Sequence, residues 1–242
     1  MNTFQPIDGT QNALFPWIAR TEQIIEHVLH KLDANSWVEI TPTIDMGITP
    51  DIFRIAGGFT AGMSLEWDCH IPFVPVDTTV DACASSYHIF PREYLNFVMN
   101  RRITKKHLHS VRLRAKRQHS MKTGFKGNHF ISVGEIDENT AALALHFESW
   151  KKADEVYLRP GCWYWNDIKV EQMPDGRYLR YITGKTAQEF YKRHERQKSE
   201  SRRIHDYYTE QIIGDFPRLD EGFYIHSGMK TPQHIRIGCF LE

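Results

Sequence analysis

Two short stretches, Gly127-Asn-His-Phe-Ile-Ser-Val133 and Ala141-Ala-Leu-Ala-Leu-His146, decide how the middle of this chain folds. The apolar residues of each stretch predict a short β-strand, and the polar residues 135–139 between them predict the turn of a hairpin. A hairpin of this kind returns His146 to the neighbourhood of His129. The sequence therefore predicts two imidazoles close together on paired strands.

Such a histidine pair favours a metal site when a cysteine or a carboxylate lies beside it. The upstream segment Val80-Asp-Ala-Cys83 supplies both groups. We expect a metal held by Asp81, Cys83, His129, His146 and one later histidine, and a thiolate with two or three imidazoles suits Mn, Fe, Co or Zn. Two alternatives stay open, since Cys83 is also typical of a buried apolar thiol and Asp81 of a turn cap.

The composition limits the class of protein but does not identify its partners. The 242 residues contain 30 basic and 30 acidic side chains, so the net charge is zero and says nothing about partners. No stretch approaches the roughly 20 apolar residues of a membrane span, and the N-terminus has no basic start and apolar run of a secretory signal. The four cysteines are scattered, which favours reduced thiols and a cytoplasmic protein that is not bound to a membrane.

The charge is unevenly distributed. Residues 101–126 contain ten Lys or Arg and no Asp or Glu, whereas a solvated helix face normally mixes both signs. The block from Arg101 to Lys126 therefore predicts a polyanionic partner, RNA or DNA, that is contacted through its phosphates.

The periodicity along the chain predicts an α+β fold, with mixed or antiparallel sheets around a central metal site and helices flanking them. Apolar spacing predicts a helix over residues 13–32, and residues 186–213 are predicted to form a long helix charged with both signs. The tail from Gly222 is predicted to form strands. Residues 157–182 are expected to form strands joined by the turn Pro174-Asp-Gly176, with Trp163 and Trp165 on one strand face. We expect one domain over residues 1–242.

Several motifs, taken in order, resemble the RtcB-type RNA ligases. Residues 125–133 are similar to that family's Gly-Asn-His-Phe-Ile-Glu segment, and the second histidine follows after 146 minus 129, or 17, positions. Upstream, Pro50-Asp-Ile, Gly58-Phe-Thr-Ala-Gly62 and Val80-Asp-Ala-Cys83 resemble the family's Pro-Asp-Val-His, Gly-Pro-Ile-Gly and Val-Asp-Ile-Gly-Cys motifs. The helix from Ala187 to Arg203 is similar to a family helix. The resemblance covers most of residues 40–240.

Members of this family join an RNA end with a 2′,3′-cyclic phosphate or a 3′-phosphate to a 5′-hydroxyl, using Mn²⁺ and GTP. The resemblance implies that Asp81, Cys83, His129 and His146 bind one or two Mn²⁺ ions. It also implies a further histidine ligand after the long helix, His226, with His205 as the alternative. We expect the nucleotide or its phosphates to contact Lys126, Asn128 and Ser227.

The chain departs from the family at three places. One residue separates Asp81 from Cys83 where the family has two, and Phe53 stands where the family has the histidine of Pro-Asp-Val-His. The printed sequence also has no Ser-His-Gly-Ala-Gly-Arg segment, which carries the guanylylated histidine, so no catalytic residue is assigned. Residues 226–235 could supply the later histidine that binds the metal, or they could correspond to the family's nucleotide-binding turn. A non-ligating RNA-end-binding relative and a metal-dependent phosphoesterase are therefore the alternative functions.

Overall fold

A computed structural model describes residues 9–80, 82–119, 129–147 and 156–238. Five α-helices run over these ranges, together with short 3-10 turns at Val76–Thr78, Arg92–Tyr94 and Trp165–Asp167 and a π-helical turn at Val98–Arg102. The helices are α1 Gly9–Leu32, α2 Ile52–Gly57, α3 Leu95–Phe97, α4 Lys105–His119 and α5 Gly184–Ile212. The strands are β1 Trp37–Gly47, β2 Ala61–Asp68, β3 Phe73–Pro75, β4 Cys83–Pro91, β5 Phe130–Glu135, β6 Thr140–Phe147, β7 Lys169–Gln172, β8 Tyr178–Thr183, β9 Asp220–Thr231 and β10 His234–Ile237.

The chain divides into two compact units, each with its own apolar core. The first unit comprises residues 1–81, 155–195 and 226–242, and the second comprises 82–154 and 196–225. Helix α5 and strand β9 run along the chain from one unit into the other. The expectation of one domain over residues 1–242 stays a prediction.

The first unit is built around two antiparallel sheets and the long helix α1. Its strands follow the orders β1-β2-β10-β9 and β3-β8-β7. Leu14, Ile18, Ile25 and Leu29 recur at helical spacing on α1, and all four are buried in this core. Burial of one such stripe holds the helix, because an amphipathic helix gains most of its stability from packing.

The second unit packs helices α4 and α5 against an antiparallel sheet with the strand order β9-β4-β6-β5. Its core takes buried side chains from both helices and from the sheet, including Val111, Ile204, Tyr208 and Leu143. The predicted hairpin is confirmed: β5 pairs with β6 in a register that sets Phe130 opposite His146. In the same ladder, β4 pairs with the other edge of β6.

The predicted α+β class is confirmed, since the described residues combine helices with antiparallel sheets. The helices begin and end within a few residues of their predicted bounds. One expectation is wrong: the described residues 156–165 form turns and no strand, so Trp163 and Trp165 do not alternate on a strand face. Trp165 instead begins a 3-10 turn, where it is partly exposed. No helix within the described ranges is long and apolar enough to cross a membrane.

Candidate metal centre

Three of the predicted ligands, Cys83, His129 and His146, come together in the second unit. Their donor atoms all lie within 4.8 Å of one another. The Cys83 sulfur lies 3.4 Å from His129 Nε2 and 3.8 Å from His146 Nε2. Among the described residues, these side chains therefore form a cluster that could hold a metal ion, which we call the Cys-His cluster.

The pairing of three neighbouring strands builds this cluster. Side chains alternate between the two faces of a strand, and residues directly opposite in a ladder share a face. Ser85 on β4 and Phe130 on β5 both lie opposite His146, so the three share one face of the sheet with Cys83, two residues before Ser85. His129 immediately precedes β5, so the alternation of side chains along the strand does not fix the direction of its ring.

The spacing of the donors fits a single ion. A tetrahedral centre with a metal–sulfur distance of about 2.3 Å and metal–nitrogen distances of about 2.0 Å sets sulfur and nitrogen ligands roughly 3.5 Å apart. The separations of 3.4 and 3.8 Å measured from Cys83 match that value. A thiolate with two imidazoles is also a donor set that borderline transition metals accept. The residues present therefore fit a metal.

A serine fixes the orientation of one ligand. Ser85 Oγ lies 3.2 Å from His146 Nδ1. With Nε2 turned towards Cys83, a metal-bound His146 would carry its proton on Nδ1 and donate it to Ser85, as the second ring nitrogen of a metal-bound histidine commonly does. Cys83 and His146 are each only 5% exposed, and His129 is partly exposed. A metal in the cluster would be reached from the side of His129.

An aromatic ring covers the other side of this ligand. The Phe130 ring stacks on the His146 ring with centroids 5.2 Å apart and planes at 29°. Phe130 nevertheless remains 46% exposed. It is therefore a surface aromatic residue in direct contact with a candidate metal ligand.

Comparisons of the chain with protein-family models, curated proteins and solved structures find no match. The resemblance to RtcB-type ligases stays a prediction.

The remaining predicted site residues lie elsewhere or outside the described ranges. Asp81, Lys126 and Asn128 belong to the residues that the structure does not describe. His226 and Ser227 lie on β9 in the first unit, and both are buried. The group of three donors found among the described residues does not include His226. Its role as a ligand, and that of Ser227 as a nucleotide contact, stay predictions.

His205, the alternative later ligand, is engaged on the opposite face of β4. Its Nε2 donates to the Phe147 carbonyl at 3.0 Å, so its Nδ1 accepts from the hydroxyl of Ser86 at 2.8 Å. Burial lowers the pKa of His205 to about 4, which keeps the ring neutral and both hydrogen bonds in place. Because Ser86 follows Ser85, it points away from the Cys-His cluster. The sheet separates His205 from the three donors.

The described part of the basic block forms the π-helical turn and helix α4, and only some of its cations bind within the protein. Arg102 donates to the Gln211 carbonyl, and Arg114 donates to Gln211 Oε1 at 3.0 Å. Lys105 and Arg112 lie on another face of the helix and are exposed, with no described carboxylate at ion-pair distance. The helix is thus anchored on α5 by one face, and on another face it presents cations that no described carboxylate neutralises.

Sequence reasoning missed two residues of this site, Ser85 and Phe130. Ser85 could have been found from strand alternation, since it follows Cys83 by two positions. Its partner depends on the register between β4 and β6, which the sequence does not state. The sequence predicts Phe130 only as a strand residue of the hairpin. Its exposure follows from β5 being the last strand of the sheet.

Proposed function

We propose that this protein is a metal-dependent enzyme that joins RNA ends in the manner of the RtcB-type ligases. The observation that carries the proposal is the Cys-His cluster, in which Cys83, His129 and His146 match the distances of one metal centre. The proposal is supported by the exposed cations of α4, which belong to the same unit. Together they provide a place for a metal and an attraction for a polyanion.

Bound metal would supply Lewis-acid chemistry, neutralising a terminal phosphate and lowering the pKa of an attacking oxygen. The chain's own residues prepare that position. Cys83, His129 and His146 hold three donors in one place, and Ser85 contacts His146 Nδ1, which leaves Nε2 facing the other donors. The three donors of a tetrahedral centre allow at least one further position for a phosphate oxygen.

Joining a 3′-phosphate to a 5′-hydroxyl eliminates one water, so the reaction needs an energy source. GTP is proposed in that role through the family resemblance, with its cleavage to GMP and pyrophosphate taking up the water. Mn²⁺ is proposed as the metal on the same ground. The donor set by itself fits zinc at least as well, because zinc is the usual partner of mixed thiolate and imidazole sites.

The test incubates the full chain with Mn²⁺, labelled GTP, an RNA ending in a 3′-phosphate and an RNA beginning with a 5′-hydroxyl. We expect a joined product and label transferred to the protein. Cys83→Ser and His146→Ala should abolish both, whereas Cys69→Ser, which alters a buried cysteine of the first unit, should leave them unchanged. A folded, metal-loaded wild-type protein that yields neither product nor label would refute ligation.

A metal-dependent phosphoesterase is the second candidate. It is favoured by the number of donors, since catalytic zinc sites commonly use three protein ligands and bind water at the fourth position. In the same assay, this function would convert a 2′,3′-cyclic phosphate end to a monophosphate without joining and without GTP. RNA-end binding with no chemical change would instead indicate the non-ligating relative.

A further inference from the structure

Helix α4 and the edge strand β5 enclose a groove in the second unit. The cavity has a volume of about 430 Å³. It is lined by Lys105, Leu108, His109, Arg112, Phe130 and Ile131. This size falls within the range of about 300–1,000 Å³ that is usual for small-ligand pockets.

The two sides of the groove differ in chemistry. Lys105, His109 and Arg112 follow one another at helical spacing, so they form one face of α4 and are all exposed. Strand β5 contributes Phe130, whose exposed ring lies on the face of the sheet that carries the Cys-His cluster, whereas α4 packs on the other face with Ile131. Cations and an exposed aromatic ring that line one groove at the edge of a sheet are the groups with which proteins hold single-stranded nucleic acid, through phosphate contacts and base stacking.

Phe130 also connects this groove to the Cys-His cluster. Phe130 stacks on His146 and is also one of the residues that line the groove. A base that stacks on the groove side of Phe130 would therefore belong to a nucleotide next to the metal ligands. The groove would hold the terminal nucleotide with its phosphate directed towards the cluster.

We propose that the groove between α4 and β5 is the subsite for the terminal nucleotide of a single-stranded nucleic acid, with Phe130 as the stacking platform and Lys105 and Arg112 as phosphate contacts. The placement beside the metal ligands rests on the proposed function. The stacking contact itself does not, since the exposed ring and the cations would bind a strand with or without catalysis. The shared chemistry covers RNA and DNA, and RNA is the expected source.

The test measures equilibrium binding of the Mn²⁺-loaded full chain to a short single-stranded RNA with a 3′-phosphate. Phe130→Ala and Phe130→Leu should each weaken binding by about 10- to 100-fold, because leucine restores apolar volume but no aromatic face. Phe130→Trp should bind like the wild type. Metal content is measured for each variant, so that an effect on His146 is recognised.

A second RNA that lacks only the terminal base isolates the stacking contact. The penalty of Phe130→Leu should disappear on this RNA and on a duplex, in which the terminal base is paired. If Phe130→Leu binds the intact strand like the wild type, or loses equal affinity for the RNA without the base, the proposal is overturned. If Phe130→Leu loses the same affinity for the RNA and for the matching DNA, the subsite recognises only the base and the phosphate. If it loses affinity for the RNA alone, RNA is the ligand.

The cations are tested by salt dependence. Lys105→Ala and Arg112→Ala should each reduce the slope of log affinity against log salt by about 0.7, the value for one single-strand phosphate contact. Lys185→Ala, an exposed lysine of the first unit, is the control and should leave the slope unchanged. Unchanged slopes for both groove variants would overturn the phosphate contacts. Failure of ligation with Phe130-dependent binding intact would refute the proposed function alone.

Discussion

Ser85 and His146 lie directly opposite each other in the antiparallel ladder of β4 and β6, with Ser85 Oγ 3.2 Å from His146 Nδ1. The next residue along β4, Ser86, makes the corresponding contact on the other face, 2.8 Å from His205 Nδ1. Two adjacent serines thus hold two buried histidines on opposite sides of one sheet. Their different surroundings allow the two sides to be tested separately.

Replacing Ser85 with alanine should weaken metal binding while the protein stays folded. Loss of the partner of His146 Nδ1 removes the bond that orients Nε2, and such second-layer changes cost about 10- to 100-fold in metal affinity. The measurement is competition with a chelator of known affinity. Ser86→Ala is the matched control and should retain the metal affinity of the wild type. Equal affinities for both variants would contradict the role of Ser85.

For the stability of the fold, the larger effect is expected from replacing Ser86 and not Ser85. Ser86→Ala should lower the free energy of unfolding by about 1–3 kcal/mol, because it leaves the buried Nδ1 acceptor of His205 without its donor. Urea denaturation of the metal-free protein gives this value without a contribution from bound ion. Ser86→Thr keeps a hydroxyl and should recover part of the loss. A Ser86→Ala protein as stable as the wild type would show that the contact contributes nothing.

The contribution of His205 to stability should fall as the pH is lowered from about 6.5 to 4. Burial lowers the pKa of His205 to about 4 in the folded protein, whereas an unfolded histidine titrates near its ordinary value of 6.5. The unfolded chain therefore binds a proton in this window that the folded chain does not, and the contribution of about 3 kcal/mol, complete above pH 6.5, is progressively lost. Urea denaturation across this range should show a shallower slope for His205→Gln than for the wild type. Parallel curves would contradict this assignment.

A buried ion pair in the first unit should behave in the opposite sense. Arg180 Nη2 lies 2.5 Å from Asp77 Oδ1, yet burial raises the pKa of Asp77 to about 6 because desolvation outweighs the neighbouring guanidinium. Protonation of Asp77 therefore favours folding, and this contribution is lost as the pH rises from about 4 through 6. Arg180→Leu should cost about 3–5 kcal/mol at pH 8, since it leaves a buried charge unpaired.

The cost of Arg180→Leu should be smaller at pH 5, where Asp77 takes up a proton. Chemical denaturation at the two pH values measures the difference. The double variant Asp77→Asn with Arg180→Leu should be more stable at pH 8 than Arg180→Leu alone. A single-variant penalty that is the same at both pH values would contradict the raised pKa of Asp77.

The sequence predicted the parts of the site that depend on local pattern. The apolar runs on either side of a polar turn were sufficient to predict the hairpin that brings His129 near His146, and the nearby Val80-Asp-Ala-Cys83 segment pointed to the thiol. The sequence could not predict the partner of each side chain. That depends on strand register and on which face of β4 meets α5, and a shift of one residue exchanges the faces.

The same limit explains why His205 remained an alternative ligand. Its position on a long helix after the hairpin was compatible with the resemblance, and only the placement of α5 against Ser86 and Phe147 shows that both ring nitrogens are engaged. The basic block was recognised from composition alone. Which of its cations are anchored and which face the groove follows from the helical positions of Arg114 and Arg112 relative to Gln211.

The alternation along β4 has a practical consequence for anyone handling this protein. The face that carries Ser86 is held by hydrogen bonds and apolar packing that need no ion, whereas the face that carries Cys83 gathers the donors. A chelating agent should therefore remove a metal bound at the cluster without unfolding the protein. Metal-stripped material could be stored, reloaded with one chosen ion at a time and compared across ions in a single preparation.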